Sequence, residues 1–244
     1  MRTQQSKEVH DGKIEWAKER LERGHPIFIY DSDEREGEAD MVFLSQAVGK
    51  EQVRLMRGEA GGLICVTLPP GAWKALELPF MTDILKEASS IFKLLKYTEA
   101  DDIPYDERSS FSLTVNHRKT FTGITDTDRA LTIRELGRFV EALLHRAILE
   151  PKERFGELFR SPGHVHLLNA REGLLDNRRG HTEYSTALLQ MAGLTPSAAI
   201  CEMLGEGGGA RPLEEVKEIA EELDTPLFTG DELLTVWRIE NEEG

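Results

Sequence analysis

The stretch Asp31-Ser-Asp-Glu-Arg-Glu-Gly-Glu-Ala-Asp40 is the most unusual segment of the 244-residue chain. It lies between two short apolar runs that are typical of buried strands. Six carboxylates stand against one arginine in it, which gives a local charge of −5. Alternate residues of an extended chain share a face, so Glu36, Glu38 and Asp40 are expected to point the same way. Three carboxylates on one side repel one another unless a cation or an arginine compensates them.

This acidic segment (residues 31–40) has two interpretations. A solvated acidic loop is the plain one, and a site for a hard divalent cation such as Mg²⁺ is the other. The position at the end of a strand and the freedom of the Gly37 backbone favour a site. An EF-hand is excluded, because the sixth position from Asp31 is Glu36 and not glycine, and the twelfth is Val42 and not glutamate.

Composition narrows the class of protein. The formal net charge is −14 with 30% charged and 39% hydrophobic residues, so neither nucleic acid nor an anionic membrane is an expected partner. An anionic substrate would need a local basic patch or a metal. No apolar run approaches the about 20 residues of a membrane-spanning helix, and the polar first residues predict no signal peptide. The two cysteines, Cys65 and Cys201, form no CxxC, so a cytoplasmic location is expected.

Hydrophobic periodicity predicts a single α+β domain over residues 1–244, with a layered mixed β-sheet flanked by helices on both faces. Two helices are expected over about 11–23 and 49–57. A third begins at a capping box, Thr132-Ile-Arg-Glu135, and is closed by Pro151. A fourth is capped by Thr182 and ends near residue 192, and a fifth begins at Pro212. Expected strands cover 26–30, 41–44, 62–68, 111–115, 164–168 after a turn at Ser161-Pro-Gly163, and 233–239. Residues 85–107 show no legible pattern and are interpreted as a mobile excursion.

A basic turn, Asn177-Arg-Arg-Gly-His-Thr182, precedes one of these helices. Helix N-termini favour phosphate because their N–H groups are free and the helix dipole is positive there. Arg178 and Arg179 add forked donors that match phosphate oxygens. An arginine-rich surface turn is the alternative. His181 is placed to ligate a metal together with the acidic segment, and a zincin is excluded because the chain has no HExxH.

Four further residues are weaker candidates. His164 alternates with His166 in a strand and follows the Pro-Gly turn, although strand histidines are more often structural. Thr122 lies in a glycine-centred turn, and Glu202 follows an apolar stretch and is of interest only if it reaches a metal or a substrate. Cys65 is interpreted as a small buried hydrophobic residue.

Six short motifs together resemble the 3,4-dihydroxy-2-butanone 4-phosphate synthase family over about residues 13–239. In chain order they are Asp31-Ser-Asp-Glu-Arg-Glu-Gly-Glu-Ala-Asp40, Gly62-Leu-Ile-Cys65, Phe121-Thr-Gly-Ile124, Pro162-Gly-His164, Arg179-Gly-His-Thr-Glu183 and Ile200-Cys-Glu202. Each motif is weak alone, but six in this order are specific. Phe121 departs from the pattern, since many relatives have a second threonine there.

The resemblance implies a lyase of riboflavin biosynthesis that converts D-ribulose 5-phosphate to L-3,4-dihydroxy-2-butanone 4-phosphate and formate. It implies Mg²⁺ (or Mn²⁺) held by Glu36 and His181, and a homodimer with active sites at the subunit interface. His164 and Glu202 match catalytic positions, and Glu38 or Asp40 is the hypothesis for the first general base. The positions that match substrate contacts or line the pocket are Asp31, Arg35, Glu36, Glu38, Asp40, Cys65, Thr122, Arg178, Arg179, Gly180, His181, Thr182 and Glu202.

Two other functions remain open at this point. Another metal-dependent sugar-phosphate isomerase or aldolase would use the same chelation, and it is distinguished by releasing no formate. A non-enzymatic protein that binds divalent cations and an anion is the second, although it has no need of the full set of polar residues.

Overall fold

The structure, a computed structural model, describes residues 2–104 and 106–242, and side chains within 11–104 and 106–241. Its centre is a mixed seven-stranded sheet in the order β4-β5-β3-β6-β2-β1-β7. The strands are β1 (Ile27–Tyr30), β2 (Ala39–Leu44), β3 (Cys65–Leu68), β4 (Phe111–His117), β5 (Phe159–Asn169), β6 (Ala198–Glu202) and β7 (Leu227–Thr229). The pairs β3–β5 and β1–β7 are parallel and the other pairs are antiparallel.

Helices cover both faces of this sheet. They are α1 (Arg2–Glu22), α2 (Lys50–Glu59), α3 (Pro70–Ala75), α4 (Met81–Ala88), α5 (Asp126–Leu144), α6 (Pro151–Leu158), α7 (His181–Met191), α8 (Leu213–Glu222) and α9 (Gly230–Glu242), with 3-10 turns at Ser45–Ala47, Lys93–Tyr97 and Leu174–Asp176. In β1, Phe28 packs toward α2, α5 and α8, whereas Ile27 and Ile29 pack toward α1, α7 and α9. The predicted α+β fold with helices on both faces is therefore confirmed.

The sheet register positions the polar segments. The strands β1 and β2 pair antiparallel, so the acidic segment closes one end of their hairpin. On the next strand, Glu202 lies directly opposite Asp40. Cys65 of β3 lies opposite Ile200 of the same strand β6. Carboxylates from two neighbouring strands and a cysteine from a third therefore meet near one end of the sheet.

The prediction of a capping box at Thr132 was wrong. Helix α5 begins at Asp126, and the Thr125 hydroxyl accepts a hydrogen bond from the Asp128 N–H. The Thr132 hydroxyl donates instead to the carbonyl of Asp128 inside the helix. The helix ends at Leu144, and Pro151 begins α6 as a first-turn proline. A cap at Thr125 therefore replaces the predicted one at Thr132.

Other local predictions also need correction. Ser161-Pro-Gly163 lies inside β5 and is not a turn before it. Thr182 is inside α7, whose cap is Gly180. Residues 233–239 are helical, because Leu233, Val236 and Trp237 recur at helical spacing and are all buried. Within 85–107, α4 and the 3-10 turn Lys93–Tyr97 supply regular structure that the sequence pattern did not reveal.

Measured over the described residues, no helix has both the length and the apolar character needed to cross a membrane.

Gly163 is required by close strand packing. A Cβ atom built there would lie 1.9 Å from the carbonyl carbon of Val115. We expect Gly163→Ala to lower the free energy of unfolding by about 1–3 kcal/mol, because overpacking forces backbone shifts. Urea denaturation of the purified protein measures this.

The matched control is Gly156→Ala in α6, where a Cβ would meet nothing within 4 Å. That change should be neutral or add up to about 1 kcal/mol through helix propensity. A Gly163→Ala variant with the wild-type urea midpoint would contradict the packing described here.

Candidate active site

The buried carboxylate of Asp31 organises the acidic segment. Its two oxygens accept hydrogen bonds from the backbone N–H groups of Glu36, at 3.1 Å, and Glu38, at 3.0 Å. Arg35 Nη1 approaches the same carboxylate at 3.3 Å. Gly37 makes the turn possible, because its φ of +66° is strained for other residues. The segment is therefore a fixed loop and not a freely solvated one.

This loop brings Glu36 to the first residue of α7. The ligand atoms of Asp31, Glu36 and His181 all lie within 4.8 Å of one another. His181 Nδ1 lies 3.4 Å from Glu36 Oε2 and 3.8 Å from Asp40 Oδ1. The structure thus brings together the two residues that the sequence analysis gave as metal ligands.

The hydrogen-bond partners suit a metal site. His181 Nε2 lies 3.2 Å from the carbonyl oxygen of Glu38, which can only accept, so Nε2 carries the proton. Loss of the proton on Nδ1 would then leave a lone pair that faces the carboxylates and suits a cation. The buried Asp40 Oδ1 has no hydrogen-bond partner among the described residues. Two carboxylates, one imidazole and an unsatisfied oxygen form a donor set that a divalent cation fits.

The pKa values of these groups reflect concentrated negative charge. Burial raises the pKa of Asp40 to about 7, and the neighbouring carboxylates of Glu202 and Glu36 add to the rise. Burial alone would lower the pKa of His181, but Asp40, Glu36 and Asp31 raise it to about 9. Burial alone would raise the pKa of Glu36, but His181 and Arg35 lower it. A proton on His181 therefore compensates part of the negative charge of these carboxylates, and a dication would compensate more of it.

Asp40, Glu202 and Cys65 line a cavity of about 170 Å³ together with the loop and α7 residues Arg35, Glu36, Arg178, His181 and Thr182. Burial raises the pKa of the Cys65 thiol, which keeps it neutral and makes it a wall of the cavity. The Glu38 side chain is not part of this lining. Burial and the charges of Glu202 and Glu36 raise the pKa of Glu38.

A second cavity of about 920 Å³ adjoins the first, and five arginines and four carboxylates line it. The two share Arg35, Asp106 and Arg178 in their linings, and Arg179 lines the larger one. Gly180, the N-cap of α7, allows the close approach, since a Cβ there would lie 2.3 Å from Arg178 Nη1. The basic turn therefore presents guanidinium groups beside a helix N-terminus, directly next to the acidic cluster.

His164 and Thr122 lie elsewhere. The N–H of His164 donates to Asn116 Oδ1 at 2.9 Å, and Asn116 Nδ2 donates to the carbonyl of Thr122 at 3.4 Å. Neither residue lines the cavity of about 170 Å³. Three strand spacings, about 14 Å, separate β5 from β2 across the sheet. Within the described chain, His164 and Thr122 are therefore not brought to Glu36 and His181.

Sequence reasoning missed two residues that control the basic turn. Glu183 is fully buried, forms an ion pair with Arg178 and accepts the Arg171 N–H at 2.8 Å. Its place directly after the Gly180-His-Thr182 turn was an available signal. Asp106 contacts Arg178 from a distant connecting segment, and nothing in its local sequence indicated this.

Fold and site together define an α+β enzyme with an acidic cluster facing a basic helix N-terminus. Residues 15–236 match the family model of 3,4-dihydroxy-2-butanone 4-phosphate synthase. The synthase of Archaeoglobus fulgidus is 50% identical over 218 residues, covering 88% of this chain and 90% of the relative. That of Methanothermobacter thermautotrophicus is 47% identical over 225 residues, covering 91% and 94%. A synthase solved in complex with two magnesium ions superposes with a TM-score of 0.67 at 27% identity, covering 93% of this chain and 96% of that one.

The chain therefore belongs to the 3,4-dihydroxy-2-butanone 4-phosphate synthase family of riboflavin biosynthesis.

A divalent cation at this cluster should stabilise the folded state. We expect MgCl₂ or MnCl₂ to raise the midpoint of thermal unfolding, because binding to the folded state alone adds about 2.7 kcal/mol at a hundredfold excess over Kd. Glu36→Gln should lose most of this shift, since it removes one charged ligand. Differential scanning calorimetry with and without the metal measures it.

Glu34→Gln is the matched control, since it removes one exposed carboxylate from the same segment. It should keep the wild-type shift. Equal metal-dependent shifts in all three proteins would contradict a metal site at Glu36.

Proposed function

We propose that the protein converts D-ribulose 5-phosphate to L-3,4-dihydroxy-2-butanone 4-phosphate and formate, with Mg²⁺ or Mn²⁺ as cofactor. The observation that carries the proposal is the meeting of Glu36, His181 and Asp40 with Arg35 and Arg178 around one cavity. The first three suit a cation that grips sugar oxygens, and the arginines suit a phosphate. The carbon, hydrogen and oxygen atoms of the ketose phosphate equal those of the two products, so no oxidant or water is consumed.

Glu36 and His181 would hold the metal, with Asp31 and Asp40 beside them. A dication bound there supplies Lewis acidity, which makes a C–H next to a chelated carbonyl more acidic. The relative solved with two magnesium ions supports a divalent cation in this family's site. The fixed loop holds Glu36 in place before the cation binds, because Asp31 ties its backbone.

Asp40 is the first general base that the geometry favours. Its pKa of about 7 suits proton transfer near neutral pH, and its carboxylate lines the cavity. Glu38 was the other hypothesis, but its side chain lies outside that lining. Glu202 lies opposite Asp40 on β6 and can carry a proton in the later steps. Those steps lose the C1 hydroxyl as water, rearrange the carbon skeleton, and release C4 as formate after one water has been added back.

The N-terminus of α7 anchors the phosphate in this proposal. Arg178 and Arg179 precede it, Gly180 leaves space for the arginines, and Thr182 faces the cavity. The free N–H groups of the first turn add neutral donors. The phosphate therefore sits at one end of the cavity and the reacting carbons lie toward the carboxylates.

A homodimer with shared active sites accounts for His164 and Thr122. Both match family positions, yet neither lines the cavity that holds His181. Phe121 beside them is 94% exposed, and Ile124 is also exposed, which suits burial against a second copy. A two-fold arrangement would carry His164 and Thr122 of one protomer to the acidic cluster of its partner. The single-domain organisation and the cytoplasmic location stay predictions.

Formate release tests the reaction. We expect the purified protein to release one formate for each D-ribulose 5-phosphate consumed when Mg²⁺ is present, and none after chelation by EDTA. Glu36→Gln and His181→Ala should each lose activity by at least about 1,000-fold, because metal-dependent charge stabilisation is lost. A coupled formate dehydrogenase assay measures this.

Glu34→Gln is again the control and should keep wild-type turnover. Consumption of the ketose phosphate without formate would instead favour an isomerase or aldolase. Normal formate release by Glu36→Gln would contradict the metal assignment.

Subunit complementation tests the shared site. We expect an equal mixture of Glu36→Gln and His164→Ala, unfolded and refolded together, to recover about one quarter of wild-type activity, because half of randomly paired dimers are mixed and hold one intact site each. Each variant refolded alone should stay inactive, and light scattering reports the oligomeric state. A dimeric mixture without activity would contradict a site built from two protomers.

A further inference from the structure

Asp106 lies between the two arginines that flank the catalytic cavity. Its Oδ2 atom is 2.5 Å from Arg178 Nε and 3.7 Å from Arg35 Nη2. The side chain is 9% exposed and lines both the cavity of about 170 Å³ and the cavity of about 920 Å³. Asp106 belongs to the segment between the 3-10 turn Lys93–Tyr97 and β4, and neither the sequence motifs nor the proposed mechanism gives it a role.

The Arg178 guanidinium is held between two carboxylates of different kinds. Glu183 is fully buried in α7 and contacts Nη1, and it also accepts the Arg171 N–H. Burial alone would lower the pKa of Arg178, but Glu183 and Asp106 raise it. Glu183 by itself neutralises and orients the guanidinium. Asp106 is therefore a second anion on a cation that already has a buried partner.

We propose that the Asp106 carboxylate occupies the position of the substrate's phosphate group, so that only a phosphate dianion displaces it efficiently. The identity of that ligand rests on the function proposed above. Asp106 is then a specificity-determining residue, because a monoanion has to compete with its carboxylate for the two arginines.

Charge and geometry favour a phosphate in this competition. A phosphate monoester carries close to two negative charges and three strong acceptor oxygens, whereas a carboxylate carries one charge and two oxygens. The phosphate can accept from Arg178 Nε, from Arg35 and from the N–H groups of the α7 first turn at once. Asp106 is seen to contact only the two arginines among these groups. A monoanion has no more charge or acceptor oxygens than the Asp106 carboxylate, so it should bind poorly while Asp106 is in place.

Isothermal titration calorimetry with inorganic phosphate, in the absence of any sugar, tests this directly. We expect Asp106→Asn to lower the Kd for phosphate about fivefold, since a competing charge is removed from a partly buried site. Acetate serves as the monoanion probe, and its gain in affinity should be at least as large. Asp106→Ser provides a second, smaller variant, and the thermal midpoint of each shows that it is folded.

Glu107→Gln is the matched control. Glu107 is the next residue, and its side chain is 92% exposed. Its Oε2 atom lies 3.7 Å from Arg171 Nη2, so its ion pair is with Arg171 and not with Arg35 or Arg178. An equal gain for Glu107→Gln would mean a general charge effect and would overturn the proposal. Unchanged or weaker phosphate binding by both Asp106 variants would also overturn it, since Asp106 would then position the arginines.

The titration needs no turnover, so its outcome is separate from that of the formate assay. Tighter phosphate binding by Asp106→Asn supports the proposal even where no formate forms, and the absence of formate counts against the proposed reaction alone. Normal formate release with no gain in phosphate affinity counts against the role of Asp106 alone.

Discussion

The buried carboxylate of Asp31 is the interaction on which the site depends. It directly follows β1, accepts hydrogen bonds from two backbone N–H groups of the acidic segment and lies against Arg35. Charge-assisted hydrogen bonds of this kind are stronger than neutral ones, and they hold Glu36 close to His181. Repulsion among six nearby carboxylates would otherwise favour an open, solvated loop. The fold thus fixes like charges close together, and such an arrangement favours a cation beside them.

The site is electrostatically divided. Asp40, Glu36 and Glu202 concentrate negative charge at the ends of β2 and β6, while Arg178 and Arg35 concentrate positive charge at the start of α7. The chain as a whole is acidic, with a net charge of −14. Long-range steering therefore does not favour an anionic substrate. Local arginines and the proposed cation would have to supply the attraction, and the arginines and the candidate ligands of that cation line one cavity.

Much of the fold was predictable, since the apolar runs of β1 and β2 are short, buried and flanked by polar turns. Two of the errors have a physical cause. A local signal at Thr132 competed with a better cap at Thr125, and only tertiary packing decides between them. Residues 233–239 were interpreted as a strand because the short apolar run was weighed above its helical spacing.

The site residues Glu36, Asp40 and His181 could be identified from the order of the motifs, because each lies in a compositionally unusual stretch. Asp106 could not be placed in the same way. Its importance comes from a contact to Arg178 across 72 residues of chain, whereas Glu183 contacts Arg178 across 5 residues and lies in a quoted motif. A lone carboxylate in a charged segment has no distinctive pattern, and its partner is defined only once β4 and α7 are packed.

The separation of His164 from Asp40 has a structural cause. His164 lies on β5 and Asp40 on β2, and the sheet fixes the three strand spacings between them at about 14 Å. A chemical step that needs both side chains must therefore either move a strand or use a second copy of the chain. Moving a central strand would break the hydrogen bonds of its ladder and expose the core on both faces. The proposed association of two rigid protomers would avoid that cost, and it would offer a partner surface to the exposed Phe121.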